Sequence, residues 1–249
     1  MTSNAVLTEA YSQLAAACEV QQRFLQYDPP QLETLGYSAE CRQLCEVGGD
    51  CYDFIPLADH RLAMAIGDAS GKGVAAALMI ASVQSSLRTA AVLTGGDAPA
   101  VVAAVNRQAQ ASSVAGRYAT LFYGVFDGRS RTLQYVNAGH NPPLVIRCDG
   151  SVLRLQTGGV PVGMFADYAY AEGAVQLQSG DVIVAYTDGV IEALNSSGEE
   201  WGVEGLQRSA AKSREQSAEQ VVSAIFEAMA EYADGCQIDD ATIAVLRVF

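Results

Sequence analysis

Apolar residues recur along this chain with two periods, and the switches between them outline the elements. Near the start, Leu7, Tyr11, Leu14, Cys18, Gln21 and Leu25 follow heptad-like spacing. That spacing predicts an amphipathic helix over residues 5–27. Asp28-Pro29-Pro30 ends it, because proline lacks the N–H and clashes with the preceding turn. The stripe has two readings. It packs on its own domain, or it pairs with another chain as a dimer or linker helix; three heptads are too few to choose.

From Thr34 the pattern becomes that of hairpin-linked strands broken by helices. Residues 52–57 and 61–67 predict paired strands around a turn at 58–60. The Ala-, Leu- and Met-rich stretch 74–92 predicts a helix that Gly95-Gly96 terminates. A second helix is predicted over 99–111, with Pro99 suited to its first turn. Strands follow at 118–126 and 132–137 around Asp127-Gly128, and at 144–147 and 151–155 around Asp149-Gly150, both hairpin signals. Further strands are expected at 175–177 and 181–186, helices at 203–213 and 217–232, and a closing strand at 241–248. Consecutive hairpins with grouped helices imply antiparallel sheets, not a doubly wound parallel one. No linker long enough to split the chain follows Pro30. The expected organisation is therefore an N-terminal helix, 1–30, and one domain, 31–249.

Composition narrows the function. Half of the 249 residues are hydrophobic, which is ample for a core. The net charge of −13 makes non-specific binding to nucleic acid or to an anionic membrane unfavourable. No apolar run approaches the roughly 18 residues of a membrane span, and no basic segment followed by an apolar stretch marks a signal peptide. The six cysteines form no C-x-x-C pair, so a reducing, cytoplasmic setting is expected. Two histidines argue against a histidine-rich zinc site.

The acidic residues carry more information by position than by number. Asp50 closes Gly48-Gly49-Asp50, Asp68 closes the apolar run 62–67, Asp188 follows 182–187 and precedes Gly189, and Asp239-Asp240 opens the last apolar run. Any one of these taken alone reads as a turn residue. Four at strand mouths point to a shared cation, because gathered carboxylates repel one another unless a cation balances them. Hard divalent ions such as Mg²⁺ and Mn²⁺ take such oxygen ligands. Gly67-Asp68-Ala69-Ser70-Gly71-Lys72-Gly73 is not a P-loop: it is one residue short, and Gly73 stands where a magnesium-binding hydroxyl is needed. Gly71 and Gly73 instead let the chain turn sharply into the helix at Val74, where backbone N–H groups suit a phosphate. Lys72 reads either as a phosphate contact or as a solvated lysine. His140 reads either as an acid for a leaving oxygen or as a turn-closing residue beside Asn141-Pro142-Pro143. Cys51 has no basic neighbour in sequence and reads as core.

Taken together, these segments resemble a family. Gly48 to Phe54, Gly67 to Leu78, Ala119 to Gly124, Tyr135 to Pro143, Tyr186 to Ala193 and Asp239 to Thr242 fit, in order and spacing, the bacterial branch of the metal-dependent, protein-phosphatase-2C-like Ser/Thr phosphatases. The closest group is that of the sporulation protein SpoIIE and the stress-response regulators. The resemblance implies an α+β fold, a four-layer α/β/β/α sandwich of two antiparallel sheets flanked by helices. It implies two or more Mn²⁺ or Mg²⁺ ions held by Asp50, Asp68, the Ala69 carbonyl, Asp188 and Asp239, with Asp53 and Asp240 either as weaker candidates or as groups that orient water or neighbouring backbone. Gly71, Lys72, Gly73 and His140 are the weaker substrate candidates. The implied reaction is hydrolysis of phosphoserine or phosphothreonine by a metal-activated water. The implied substrate is a phosphorylated regulatory protein of the anti-anti-sigma type, with an upstream sensor and a homodimer as further expected partners. One departure stands out: eukaryotic members grip phosphate with an arginine upstream of the first Asp, and this chain has Leu44-Cys45-Glu46-Val47 there, with Arg42 further back. Alternatives are a regulatory binding module of this fold with little activity, or a hydrolase of small phosphate esters. Given the acidic surface, substrate recognition is expected to depend on a shaped docking patch.

Overall fold

The computed structural model describes residues 3–25, 32–112 and 116–249, and the side chains of residues 3–8 and 10 are outside the description. The elements in chain order are α1 (Ser3–Leu25), β1 (Leu35–Arg42), β2 (Asp50–Leu57), β3 (Arg61–Ala69), α2 (Val74–Leu93), α3 (Ala98–Ser112), β4 (Ala119–Asp127), β5 (Thr132–Ala138), β6 (Leu144–Ile146), β7 (Val152–Arg154), β8 (Gly158–Gly159), β9 (Gly173–Gln176), β10 (Val182–Tyr186), α4 (Asp188–Ile191), α5 (Gly202–Ser213), α6 (Ala218–Tyr232) and β11 (Ala241–Val248). The sequence pattern anticipates most of them. It misses β1, β8 and the single-turn α4.

Two sheets form the centre. One runs β1-β11-β10-β6-β7, and the other runs β2-β3-β4-β5-β8 with β9 also on β5. All pairings are antiparallel except the two-residue β5–β8 contact. Side-chain alternation decides the layers, because successive residues of a strand face opposite sides. On β3, Leu62, Met64 and Ile66 face the other sheet, while Ala63 and Ala65 face the helices α2 and α3. On β11, Ala244, Leu246 and Val248 face inward, and Ile243 and Val245 meet α5 and α6. Both faces of each sheet are covered, so these strands read as nearly continuous apolar runs. The expected α/β/β/α sandwich is the observed one.

Helix α2 packs through Ala76, Ile80, Val83 and Leu87. Among the described residues it is the one helix long and apolar enough to suit a membrane crossing by length and composition, a match that the sequence reading did not anticipate. Its good fit against sheet alanines makes it a core helix here. At the helix α3 start, the Asp97 carboxylate accepts from the Ala100 N–H (2.8 Å), an N-cap that satisfies a first-turn donor. The N-terminal stripe is only partly covered: Leu14, Cys18 and Leu25 are half-buried and Gln21 is buried, but Tyr11 is 63% exposed. Leu7 belongs to the predicted stripe, but its side chain lies outside the described residues.

Between the sheets Phe122 is fully buried and stacks on Tyr135 at 5.6 Å. Phe122→Ala is expected to lower unfolding stability by about 3–5 kcal/mol, the usual cost of emptying a buried aromatic site. Urea denaturation followed by circular dichroism measures it; a loss below about 1 kcal/mol would mean that the sheets close over the gap.

Candidate active site

Alternation also carries the acidic residues to one place. Asp50 opens β2 with the inward parity of Tyr52 and Phe54, and Asp68 shares that of Leu62, Met64 and Ile66. The two are paired directly across the ladder. Both therefore face between the sheets at one open end of the sandwich. From the other sheet, Asp188 follows β10 and begins α4, and Asp239 precedes β11. A Cβ on Gly189 would overlap the Asp240 carbonyl and lie 3.2 Å from the Asp239 Cβ, so Gly189 is what lets these two segments touch.

Asp50 is 2% exposed, and its Oδ2 accepts from Thr187 Oγ1 (2.8 Å) and Thr242 Oγ1 (2.7 Å). Thr187 Oγ1 in turn accepts from the Thr242 N–H (2.9 Å). Two hydroxyls from the facing sheet thus fix one carboxylate oxygen of the first candidate ligand. These threonines are functional residues that the sequence reading passed over. Thr242 shares the inward parity of Ala244 and Leu246, and Thr187 sits beside Asp188, so the signal was present as strand alternation.

Burial, above all, raises the Asp68 carboxyl to about 8, with Asp50, Asp188, Asp239 and Asp240 adding repulsion in that order. Burial likewise lifts Asp50 to about 7 against the two threonine hydrogen bonds, and burial raises Asp188 as well. The mutual repulsion is itself evidence that the acids converge. Among the described residues no group of three or more Asp, Glu, His or Cys side chains is placed so as to hold a metal ion; the acids border an open mouth. Its donors nevertheless fit a hard cation. The position of a Cβ on Gly49 would be 3.2 Å from the Ala69 carbonyl oxygen and 3.4 Å from Asp68 Oδ1. A glycine there leaves a spot bordered by these two oxygens and by the Ala76 methyl at 3.3 Å, and oxygen is the ligand type that Mg²⁺ and Mn²⁺ select.

The remaining candidates divide. Asp240 does not point at the cluster as a donor: its Oδ1 accepts from Leu44 N–H and its Oδ2 from Gly49 N–H, both at 2.8 Å. It anchors the loop before Asp50. Asp53 has the outward parity of β2 and pairs with Arg88 on α2, away from the other acids. Lys72 is at the mouth, its side chain 62% exposed and its Nζ 2.7 Å from Asp239 Oδ2, so it is a solvated lysine that is also ion-paired. Gly71 and Gly73 take positive φ, 94° and 70°, as the turn into α2 requires. His140 is buried; its Nδ1 meets Thr120 Oγ1 at 2.8 Å, and its backbone N–H donates to Asn137 Oδ1 at 2.7 Å. Burial depresses its imidazole to about 4 although the Tyr186 backbone opposes the shift, and Nε2 has no partner of ordinary geometry. The histidine thus ties Thr120 on β4 to Asn137 at the end of β5. Cys51 is buried with its thiol pushed upward by burial, as a core residue should be. Arg42 pairs with Glu40 and lies over the Phe226 ring at 4.0 Å; it is committed to α6 and does not supply the missing phosphate arginine.

Residues 58–249 match the family model of Stage II sporulation protein E (SpoIIE). This chain belongs to the SpoIIE family. It is 30% identical over 260 residues to Protein IcfG of Synechocystis, covering 92% of this chain but 40% of IcfG. It is 28% identical to Phosphoserine phosphatase RsbU of Bacillus subtilis, covering 99% of this chain and 73% of RsbU. The chain thus spans less than half of one of these SpoIIE relatives and about three quarters of the other. Its fold is shared with the SiaA-PP2C domain of Pseudomonas aeruginosa, with a TM-score of 0.84 over the whole of both chains at 23% identity.

The raised carboxyls give the site a pH signature. The folded chain holds these protons more tightly than the unfolded one, whose Asp value is near 3.8. That stability is complete below about pH 4 and is lost as pH rises through 7 to 8. In EDTA, the melting temperature is expected to fall from pH 5 to pH 8, and Asp68→Asn should flatten the slope. Differential scanning fluorimetry across that range checks it, and a wild-type slope that is flat or rising would count against the coupled cluster.

Proposed function

We propose that this chain is a metal-dependent phosphatase that removes phosphate from phosphoserine or phosphothreonine on a regulatory protein. The observation that carries the reading is the meeting of Asp50, Asp68, Asp188 and Asp239, drawn from both sheets, at one mouth. These four and the Ala69 carbonyl would hold two Mn²⁺ or Mg²⁺ ions. Such ions supply a water nucleophile at neutral pH and offset the charge of the phosphate. The chain's own part is positional. Thr187 and Thr242 fix the rotation of Asp50. Asp240 holds the Leu44 and Gly49 amides so that the 43–49 loop presents Asp50 in one geometry. Lys72, beside Asp239, brings a positive charge to the rim. Cys51 and His140 are buried and tied to structure, so neither serves as nucleophile or acid. The phosphorylated partner is of the anti-anti-sigma type by the resemblance of the motifs, and the likeness to the phosphoserine phosphatase RsbU supports a phosphoserine substrate.

The N-terminal segment, residues 1–30, which contains α1, is a regulatory element distinct from the catalytic domain in this reading. Gln21 Nε2 donates to the Gly48 carbonyl (2.7 Å) while its Oε1 accepts from the Gly48 N–H (3.0 Å). Gly48 is two residues from Asp50. The helix end is held as well, with the Phe24 carbonyl accepting from Gln84 Nε2 and Arg88 Nη2. A sensor or second chain that moved this helix would move the Asp50 loop. The exposed Tyr11 and Val20 are available for such a contact.

Two measurements test these readings. Asp68→Asn or Asp188→Asn should cut p-nitrophenyl phosphate turnover at saturating Mn²⁺ by at least about a hundredfold, and EDTA should abolish wild-type turnover, because each change removes a charged ligand. Near-wild-type rates in both variants would sink the site. Gln21→Ala should raise the Mn²⁺ concentration for half-maximal turnover by about tenfold, the usual scale for a group acting behind a ligand. An unchanged metal titration would separate the helix from Asp50.

A further inference from the structure

Lys72 stands where the acids of the two sheets meet. It follows Asp68, near the end of β3 in one sheet, by four residues, yet its Nζ is 2.7 Å from Oδ2 of Asp239, which precedes β11 in the other. The ammonium therefore reaches across the mouth. Nζ also lies 3.4 Å from the Ile238 carbonyl. Gly71 and Gly73 flank the lysine with φ of 94° and 70°, a turn that other residues rarely adopt. That turn leads into α2. The Ala76 methyl, in the first turn of the helix, lies 3.3 Å from where a Cβ on Gly49 would stand, a position also 3.4 Å from Asp68 Oδ1. The start of α2 is thus packed beside the acids. Nothing lies within 4 Å of where a Cβ on Gly73 would be, so the turn is open there to an approaching molecule.

The carboxylate that receives Lys72 is held in place. Asp239 Oδ1 accepts from the Asp240 N–H (2.9 Å), and Gln237 Nε2 donates to the carbonyls of Asp239 and Arg42 (2.7 Å each). Oδ2 is the oxygen turned toward the lysine. The ion pair itself is loose. Its side chains are 62% and 31% exposed, and pairs in such a setting contribute little, so the ammonium leaves Asp239 at little cost. A phosphomonoester carries about two negative charges near neutral pH. It must enter a mouth lined with carboxylates, and that requires a cation within reach. The neighbouring guanidinium groups are engaged: Arg42 with Glu40 and the Phe226 ring, Arg88 with Asp53 and the Phe24 carbonyl, and Arg117 at the Ser70 carbonyl. A lysine is a compact point charge on a flexible four-carbon stem, suited to pass between a carboxylate and a phosphate.

We propose that Lys72 grips the phosphoryl oxygens of the substrate, and that Asp239 Oδ2 holds its ammonium across the mouth until a phosphate takes it. The proposal rests on the phosphatase reading above and names the phosphate-binding cation of that site. One ammonium shared between two anionic partners gives effects of opposite sign. Removing it weakens the hold on phosphate and leaves Asp239 Oδ2 freer for a divalent ion. A lysine that merely propped Asp239 would, when removed, weaken metal binding instead, and a merely solvated lysine would change neither.

Lys72→Met keeps an unbranched stem and removes the charge. Two quantities are measured: the inhibition constant of inorganic phosphate against hydrolysis of a phosphoserine peptide with Mn²⁺, and, separately, Mn²⁺ binding to the chain by titration calorimetry. In Lys72→Met the phosphate constant should rise about tenfold, the scale of a hydrogen bond to a charged group, while Mn²⁺ binds at least as tightly as in the wild type. Lys72→Arg should bring the phosphate constant back to within about threefold of the wild-type value, because it keeps the charge in another geometry. An unchanged phosphate constant in Lys72→Met, or weakened Mn²⁺ binding, overturns the proposal. Calorimetric titration of the chain with phosphate in the presence of Mn²⁺ separates the two readings. Lys72-dependent phosphate binding without peptide hydrolysis would keep the grip and sink the phosphatase assignment, whereas hydrolysis with Lys72-independent phosphate binding would keep the phosphatase and sink the grip.

Discussion

Repulsion among carboxylates in a confined mouth is the constraint around which this molecule is arranged. Burial removes the water that would screen Asp50 and Asp68; Asp50 then raises Asp68's hold on its proton, and Asp240 and Asp188 raise that of Asp50. A cluster of this kind opposes folding unless protons or cations balance it, so the surrounding chain must supply the stability. It does so in the apolar layer between the sheets and in the two outer layers under the helices. The acids are confined to the end of the sandwich, where an unfavourable cluster interrupts no packing. The two threonines then turn a repelling group into an oriented one: with Oδ2 of Asp50 engaged by Thr187 and Thr242, the direction of the carboxylate is set before any ligand arrives.

Backbone anchoring extends this order outward. The 43–49 loop lies outside the strands, and three of its amides are satisfied by side chains from distant parts of the chain. Asp240 takes Leu44 and Gly49, and Gln21 takes Gly48. Buried backbone groups must find partners, so the loop's geometry depends on β11 from one side and on α1 from the other. Through these hydrogen bonds the N-terminal helix is tied to the loop that precedes Asp50. Arg88 completes the connection, because the guanidinium that neutralises Asp53 also holds the end of α1.

Much of this was legible before any coordinates. The alternation in residues 62–67 and 241–248 predicts strands, the Ala-rich stretch 74–92 predicts the helix, and the ordered motifs around Asp50, Asp68, Asp188 and Asp239 imply the sandwich and its acids. Short elements escaped, as β8 spans two residues and α4 a single turn; neither is long enough to display a period. Asp53 and Asp240 read from their neighbours in sequence as possible ligands. Parity turns Asp53 toward α2 and Arg88, and the loop's unpaired amides claim both oxygens of Asp240.

The sequence by itself determined what depends on near neighbours: strand and helix periods, the turn glycines, the acids at strand ends and the family they mark. Tertiary structure alone decided what depends on contacts between distant segments. Thr242 meets Asp50 across 192 positions of chain, Gln21 reaches Gly48 across 27, and Arg117 reaches Ser70 across 47. No local pattern encodes such pairs, because each arises from the register of two strands or the docking of a helix on a loop. His140 illustrates the same division. Its pKa near neutrality in water makes it look like an acid-base group, but its burial behind Asp68, which only the folded sandwich imposes, holds it neutral.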